Sequence, residues 1–232
     1  MILRFSLGFR GLETRGFGGL EVWRRGGLER RMELLENEVE LVGRLCERIE
    51  RRGRVLDLGC GTGKLGIFLS EVLGGAVEVT GVDTELEKVK KARENSPSTN
   101  ITFEVQSAEE LAFADETFDA VVSLKALHEI AEPGKALREA SRVLKDGGQV
   151  FVVDWVGGGG AASATTRKTN TNTNTNTKAK TKTQTRSGHA RKYFTRQRLE
   201  ELLLDAGFRG LKIEVNREGE LMLAEARKTK IK

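Results

Sequence analysis

The chain has 232 residues, of which 38% are hydrophobic and 31% charged, with a net charge of +5. This length suits one well-buried domain with attachments, and the composition predicts the soluble globular class. No apolar run is long enough to cross a bilayer and no secretory leader is recognisable, so a cytoplasmic protein is expected. The two cysteines, Cys46 and Cys60, form neither a disulfide framework nor a zinc motif, so no metal is expected.

Residues 1–31 combine glycine and arginine with isolated apolar residues and show neither helical nor strand periodicity. We therefore expect a poorly structured N-terminal extension. From Met32 the pattern becomes that of an amphipathic helix, so a single domain is expected over 32–232. The change also suggests the hypothesis that Met32 is the true start codon, which N-terminal sequencing of the native protein that found Met1 would disprove.

Short apolar runs then alternate with helical patterns near 65–73, 85–94 and 133–144; the runs are RVLDL, AVEVTGV, ITFEV, FDAVVSL and QVFVVDW. Such alternation indicates a parallel sheet with helices on both faces. A last helix opening at Thr195 precedes LKIEV and ELMLAEA, which a short turn joins as an antiparallel hairpin. The sequence predicts an α/β fold with a doubly wound, mostly parallel seven-stranded sheet and a C-terminal antiparallel hairpin.

Residues 157–188 consist chiefly of Gly, Thr, Asn and Lys, a composition that predicts a low-complexity disordered insertion. Val156 to Lys192 carries eight Lys or Arg and no acid, and removing this +8 from the total of +5 leaves −3 for the rest. The basic character therefore belongs to one segment. An arm that attracts nucleic acid or anionic lipid is the alternative interpretation, although no aromatic residue for base stacking precedes Tyr193.

The most informative stretch is VLDLGCGTG at 55–63, in which a strand enters a loop with glycines at 59, 61 and 63. Glycine permits tight turns, and the free N–H groups of the following helix favour an anion. A Walker phosphate loop is excluded, because Leu58 occupies its first glycine position and Leu65 its Ser/Thr position.

A dinucleotide site remains a more distant possibility, because Gly61, Gly63 and Gly66 spell GxGxxG and Asp83 follows at a suitable distance. Against it, Asp57 lies where a second carboxylate would repel a pyrophosphate. A carboxylate at this position suits a ligand with an ammonium group.

At this point the sequence resembles the class I S-adenosylmethionine (SAM)-dependent methyltransferases. VLDLGCGTG resembles their first motif, and later segments are similar to further motifs in the right order: GVD ending at Asp83, SAEELAF at 107–113, FDAVVS at 118–123, LHEI at 127–130 and RVLKDGG at 142–148. The resemblance implies an enzyme that uses SAM as cofactor. It also implies a small-molecule acceptor, as in the quinone-biosynthesis types.

The resemblance implies a set of cofactor-binding residues as well. Asp57 would orient the amino group of SAM, Asp83 would hold the ribose hydroxyls, and Ser107 and Ala108 would face the adenine. The family commonly has Asp at the position of Ser107 and Pro at that of Ala112. The full expected set is Asp57, Gly59, Cys60, Gly61, Gly63, Asp83, Thr84, Ser107, Ala108 and Leu124.

His128 follows the fourth strand of the fold, at the sheet edge where ligands bind in open α/β proteins. It is the candidate catalytic base for a hydroxyl or enol acceptor, and a pocket wall or a hydrogen-bonded helix start is the interpretation that we favour. Two other functions remain open: an RNA-binding methyltransferase that uses the cationic insertion, and a SAM-binding protein without catalysis.

Overall fold

The computed structural model describes residues 13–17, 20–25, 28–31, 34–96, 99–157 and 193–229. The first three ranges are strands β1 (Glu13–Phe17), β2 (Leu20–Arg25) and β3 (Leu28–Arg31), which pair as an antiparallel sheet. These strands differ from the expectation of a poorly structured segment. The hydrophobic residues of these three segments do not alternate with polar ones, so the sequence pattern could not indicate that the segments pair as strands.

The main sheet has seven strands: β4 (Gly53–Leu58), β5 (Val77–Asp83), β6 (Ile101–Val105), β7 (Phe118–Leu124), β8 (Leu144–Trp155), β9 (Phe208–Val215) and β10 (Leu221–Lys228). Their order is β6-β5-β4-β7-β8-β10-β9. The four pairs β6–β5, β5–β4, β4–β7 and β7–β8 are parallel. Strand β10 runs antiparallel to both β8 and β9. The predicted fold class, including the C-terminal hairpin, is confirmed.

Among the described residues, five α-helices flank this sheet: α1 (Glu36–Arg48), α2 (Lys64–Leu73), α3 (Leu86–Asn95), α4 (Pro133–Val143) and α5 (Arg196–Asp205). The hydroxyl of Thr195 accepts the N–H of Arg198, so the expected N-cap of α5 is present. A short 3-10 helix at Leu127–Glu129 follows β7. The helices predicted from periodicity are all found, with ends within a few residues of expectation.

The sheet separates two hydrophobic layers. One contains Leu45 of α1, Leu69 of α2 and Val89 of α3, and the other contains Leu137 of α4 and Leu199 of α5. Successive side chains of a strand point to opposite faces, so neighbouring residues of β4 belong to opposite layers. This alternation directs the carboxylate of Asp57 toward the layer of α1, α2 and α3.

The chain leaves β4 for β5 and β6 on one side and returns to place β7 on the other. The carboxyl ends of β4 and β7 therefore border a topological switch point, where ligands bind in open α/β sheets. Asp146, Gly147 and Gly148 belong to β8, which pairs with β7 across a bulge between the Phe118–Leu144 and Ala120–Gln149 pairs.

The predicted insertion at 157–188 lies, apart from Gly157, outside the described residues, as does His189. Its flanks are described. Val156 and Phe194 form a parallel bridge, and the N–H of Gly157 donates to the carbonyl of Phe194 at 2.7 Å. The two described ends of the chain on either side of residues 158–192 therefore lie next to each other.

Gly81 of β5 has no room for a side chain, because an added Cβ would lie 2.6 Å from the ring of Phe103 and 2.9 Å from Cβ of Cys60. We predict that Gly81→Ala lowers the free energy of unfolding by about 1–3 kcal/mol through overpacking. Gly75→Ala is the matched control, since nothing lies within 4 Å of its added Cβ. Urea unfolding that gives equal midpoints for the two variants would contradict this packing.

Candidate functional site

The loop between β4 and α2 bends sharply at three glycines. Gly59, Gly61 and Gly63 have φ of +69°, +54° and +86°, a region that other residues rarely adopt. The N–H groups of Gly59 and Cys60 both donate to the carbonyl of Val82 at 2.9 Å. The loop is thus fastened to the end of β5.

Each glycine meets different surroundings. A Cβ at Gly59 would lie 2.3 Å from Cβ of Ala126, whereas a Cβ at Gly61 would have no neighbour within 4 Å. A Cβ at Gly63 would lie 2.8 Å from Phe103. Gly61 therefore faces open space, and Gly63 instead permits close packing of α2 against β6.

Asp57 is the buried acid of the site, with 1% of its surface exposed. Its Oδ2 accepts the N–H of Gly66 at 3.0 Å, while no hydrogen-bond partner reaches Oδ1 among the described residues. Burial raises the pKa of Asp57 to about 7; the charge of Asp83 adds to the rise, and the Gly66 hydrogen bond opposes it. The free oxygen is a place for a donor supplied by a ligand.

Asp83 ends β5 and joins two loops. Its Oδ2 accepts the N–H of Gly61 at 3.0 Å, and its Oδ1 accepts the N–H of Glu85 at 2.9 Å. Each carboxylate oxygen can accept a further hydrogen bond. The side chain is thus held in place with acceptor capacity to spare.

Two cavities adjoin this acid. The first, about 220 Å³, is lined by residues that include Asp57, Gly59, Cys60, Gly61, Asp83 and Leu124. The second, about 380 Å³, is lined by residues that include Gly59, Asp83, Thr84, Ser107 and Ala108. Nine of the ten predicted cofactor-binding residues therefore line this pair of cavities, and only Gly63 does not.

Sequence reasoning missed a cluster of three charged side chains beside the first cavity. The carboxylate of Glu38, in the first turn of α1, lies 2.6 Å from Nζ of Lys64 and also contacts Nζ of Lys125. Both lysines line the cavity. No motif marks this cluster, because its members come from three elements that are distant in sequence.

Burial of Glu38 opposes its ionisation, but the hydrogen bonds from Lys125, Lys64 and the N–H of Leu35 together outweigh burial. The pKa of Glu38 therefore lies below its ordinary value. Lys125 itself has a left-handed backbone, with φ of +51°, and its ammonium lies 5.2 Å from the centroid of the Trp155 ring.

His128 has a partner that the sequence did not reveal. Its Nδ1 lies 2.6 Å from Oδ1 of Asp154, and its backbone N–H donates to Oδ2 of the same carboxylate at 3.1 Å. Asp154 is fully buried near the end of β8, and the side chain of His128 is 6% exposed. The pair fixes the ring across the carboxyl ends of β7 and β8.

An aromatic pair, Tyr193 and Trp155, lies next to His128. The Tyr193 ring packs edge-on against His128 at 5.1 Å between centroids and stacks on Trp155 at 5.7 Å. The Nε2 of His128 lies 3.8 Å from Glu129, beyond hydrogen-bond distance, and has no hydrogen bond within the described part of the chain. His128 is absent from the walls of the two cavities, so the hydrogen-bonded helix start favoured from the sequence describes its present contacts.

A model of a methyltransferase domain family matches residues 49–207, which is more than half of the chain. The chain belongs to this methyltransferase family. The resemblance inferred from the motifs is thereby confirmed, and SAM is the cofactor that goes with the family.

Among curated relatives of this methyltransferase domain, a ubiquinone/menaquinone biosynthesis C-methyltransferase of Pectobacterium carotovorum is 32% identical over 62% of this chain and 52% of its own. A 27-O-demethylrifamycin SV methyltransferase of Amycolatopsis mediterranei is 31% identical over 53% of this chain and 47% of its own. The chain thus spans about half the length of these relatives.

A crystal structure of a SAM-dependent methyltransferase from Aquifex aeolicus superimposes with a TM-score of 0.62 and 20% identity, covering 83% of this chain and 93% of that one. At this identity the likeness concerns the fold. Within the described part of the chain, no helix of the methyltransferase domain is long and apolar enough to span a membrane.

The raised pKa of Asp57 leads to a prediction for the ligand-free protein. Between pH about 4 and about 7 the folded protein keeps a proton on Asp57 that the unfolded chain has already released. The free energy of unfolding therefore falls as the pH rises through this range. We predict that Asp57→Asn, which keeps an acceptor for Gly66, raises the melting temperature at pH 8 by at least about 2–4 °C. The gain should shrink toward pH 4.

Thermal unfolding monitored by circular dichroism measures the melting temperatures of the wild type and the variant at pH 8 and pH 4. Asp205→Asn, at an exposed position of α5, serves as the control. An Asp57→Asn variant that is less stable than the wild type at pH 8 would show that the carboxylate is not destabilised by burial.

Proposed function

We propose that the protein binds SAM in the paired cavities and transfers its methyl group to a small-molecule acceptor. The observation that carries the proposal is the buried Asp57 carboxylate, whose Oδ1 lacks a partner among the described residues in a cavity bounded by the glycine loop. A partnerless buried acceptor fits a ligand that brings its own ammonium group. Gly61 leaves the space beside it open.

The remaining residues fit the other parts of SAM. Asp83 has the acceptor capacity to hold two ribose hydroxyls, and the second cavity offers Thr84, Ser107 and Ala108 to the adenine. The Oγ of Ser107 accepts the N–H of Glu109 at 3.2 Å, which orients the hydroxyl without exhausting its lone pairs. Cys60 and Leu124 complete the wall of the first cavity.

SAM, when bound, supplies an already activated methyl group on a sulfonium. The protein then has to align the acceptor with that methyl group and exclude water. Aromatic cover from Trp155 and Tyr193 at the carboxyl edge of β8 suits the exclusion of water. The buried carboxylate of Asp57, by contrast, disfavours a pyrophosphate placed beside it.

For the acceptor we infer a small molecule with a hydroxyl or enol group. The names of the relatives, a quinone C-methyltransferase and a rifamycin methyltransferase, support this class. His128 would take the proton of such a group at Nε2, because hydrogen bonding of Nδ1 to Asp154 leaves the Nε2 lone pair as the acceptor in the neutral ring.

The proposal includes a cytoplasmic location, with which the free, buried cysteines Cys46 and Cys60 are compatible. The alternative of an RNA-binding methyltransferase depends on the insertion at 157–188, which lies almost wholly outside the described residues. A non-catalytic SAM-binding protein would share the cofactor site and lack turnover.

Isothermal titration tests the cofactor site. We predict that the wild type binds SAM and not NADH, and that Asp83→Ala weakens SAM binding at least about tenfold through lost charge-assisted hydrogen bonds. Glu87→Gln, an exposed acid on α3, is the control and should bind as the wild type does. Binding of NADH without SAM would overturn the proposal.

Transfer of labelled methyl from SAM to hydroxylated aromatic acceptors tests the base. We predict that His128→Asn lowers kcat about 100-fold at neutral pH, as expected for loss of a general base, while SAM affinity stays unchanged. Asp154→Asn should lower kcat in the same direction, because the ring loses the carboxylate that sets its tautomer.

The matched control is His189→Asn, since His189 is the other of the two histidines. This variant should keep the wild-type kcat, and SAM affinity measured in parallel separates a loss of catalysis from a loss of cofactor binding. A His128→Asn variant that keeps the wild-type kcat would exclude His128 as the base.

A further inference from the structure

Three charged groups from three separate elements meet next to the first cavity. Glu38 comes from α1, Lys64 is the first residue of α2, and Lys125 follows β7. The carboxylate of Glu38 is completely buried, while the side chains of Lys64 and Lys125 are 23% and 19% exposed. The cluster is therefore largely removed from water.

The charges in this cluster do not cancel. Two ammonium groups share one carboxylate, which leaves one positive charge in excess within the cluster itself. The Trp155 ring below Lys125 compensates only in part, because a cation–π contact is weaker than a buried ion pair. Excess buried charge is costly unless an anion compensates it.

The same cavity is lined by the two lysines and by Asp57. The other charged groups of its wall are Asp83, Lys88 and Glu129, and Lys88 pairs with Glu85 at 2.5 Å. The cavity wall therefore combines the two ammonium groups of this cluster with a carboxylate whose Oδ1 has no partner in the described structure. Such a pairing is complementary to a zwitterion, which carries an ammonium and a carboxylate.

We propose that Lys64 and Lys125 bind the carboxylate of the amino-acid part of SAM, and that Glu38 holds both ammonium groups at the cavity wall. This inference depends on the proposed SAM site. The backbone supports the assignment, because the Lys125 N–H donates to the carbonyl of Val153 at 2.7 Å and so anchors the turn that carries its side chain. Helix α1 thereby contributes to ligand recognition without touching the ligand.

Two probes that differ only in the carboxylate test the assignment: S-adenosylhomocysteine and its decarboxylated analogue, in which hydrogen replaces the carboxylate. Isothermal titration gives the dissociation constant of each for the wild type, Lys64→Met and Lys125→Met. We expect each substitution to weaken S-adenosylhomocysteine about tenfold or more, as for loss of a charge-assisted hydrogen bond, and the analogue less than about twofold.

Lys64→Arg keeps the charge and should restore most of the preference for the carboxylate. Lys90→Met, at an exposed position of α3, is the control and should leave both constants unchanged. Melting temperatures verify that each variant is folded, and the double variant Glu38→Gln/Lys125→Met removes the buried anion together with its partner should Lys125→Met be unstable. The double variant should discriminate against the analogue as poorly as the single one.

Equal weakening of both probes, or of neither, would overturn the assignment. Wild-type protein that binds both probes equally well would also overturn it while leaving the proposed SAM site intact. Wild-type protein that binds neither probe would overturn both the assignment and the proposed function.

Discussion

The hydrogen bond from the N–H of Gly66 to Oδ2 of Asp57 ties the end of β4 to the first turn of α2. It fixes how far apart the two ends of the glycine loop lie, so the loop must turn within the residues between them. It also engages one carboxylate oxygen only, and the other is left at the cavity wall. The shape of the loop and the chemistry of the cavity thus follow from one contact.

The charges around the cavity come from different parts of the architecture. Asp57 and Asp83 end neighbouring parallel strands, whereas Lys64 opens a helix and Lys125 belongs to the connection after β7. Glu38 reaches the lysines from α1, on the layer that also contains α2 and α3. The switch point of the sheet is where these elements can converge, because β4 and β7 are adjacent there although β5 and β6 separate them in sequence.

Most of the fold could be predicted from the sequence, because each helix of the main domain carries a helical hydrophobic period and each strand a short apolar run. The site residues with a local signature, such as the glycine loop and Asp83, could be predicted as well. Gly63 is predicted to bind the cofactor but does not line either cavity, because a motif gives the spacing of its glycines and not the direction that each one faces. Glu38, Asp154 and Tyr193 could not be found, since their partners are tens of residues away in sequence and only the folded chain brings them together.

The hydrogen bond between Gly157 and Phe194 has a consequence for the tolerance of the chain to changes in length. Because Gly157 and Phe194, on either side of residues 158–192, are in contact, the contacts of the described domain do not depend on how many residues join them. The entropic cost of closing a loop, expressed as a free energy, rises slowly with loop length, by about 0.6 kcal/mol for each doubling. This junction is therefore a natural position for circular permutation or for grafting a second domain, since neither would need to disturb a strand of the sheet.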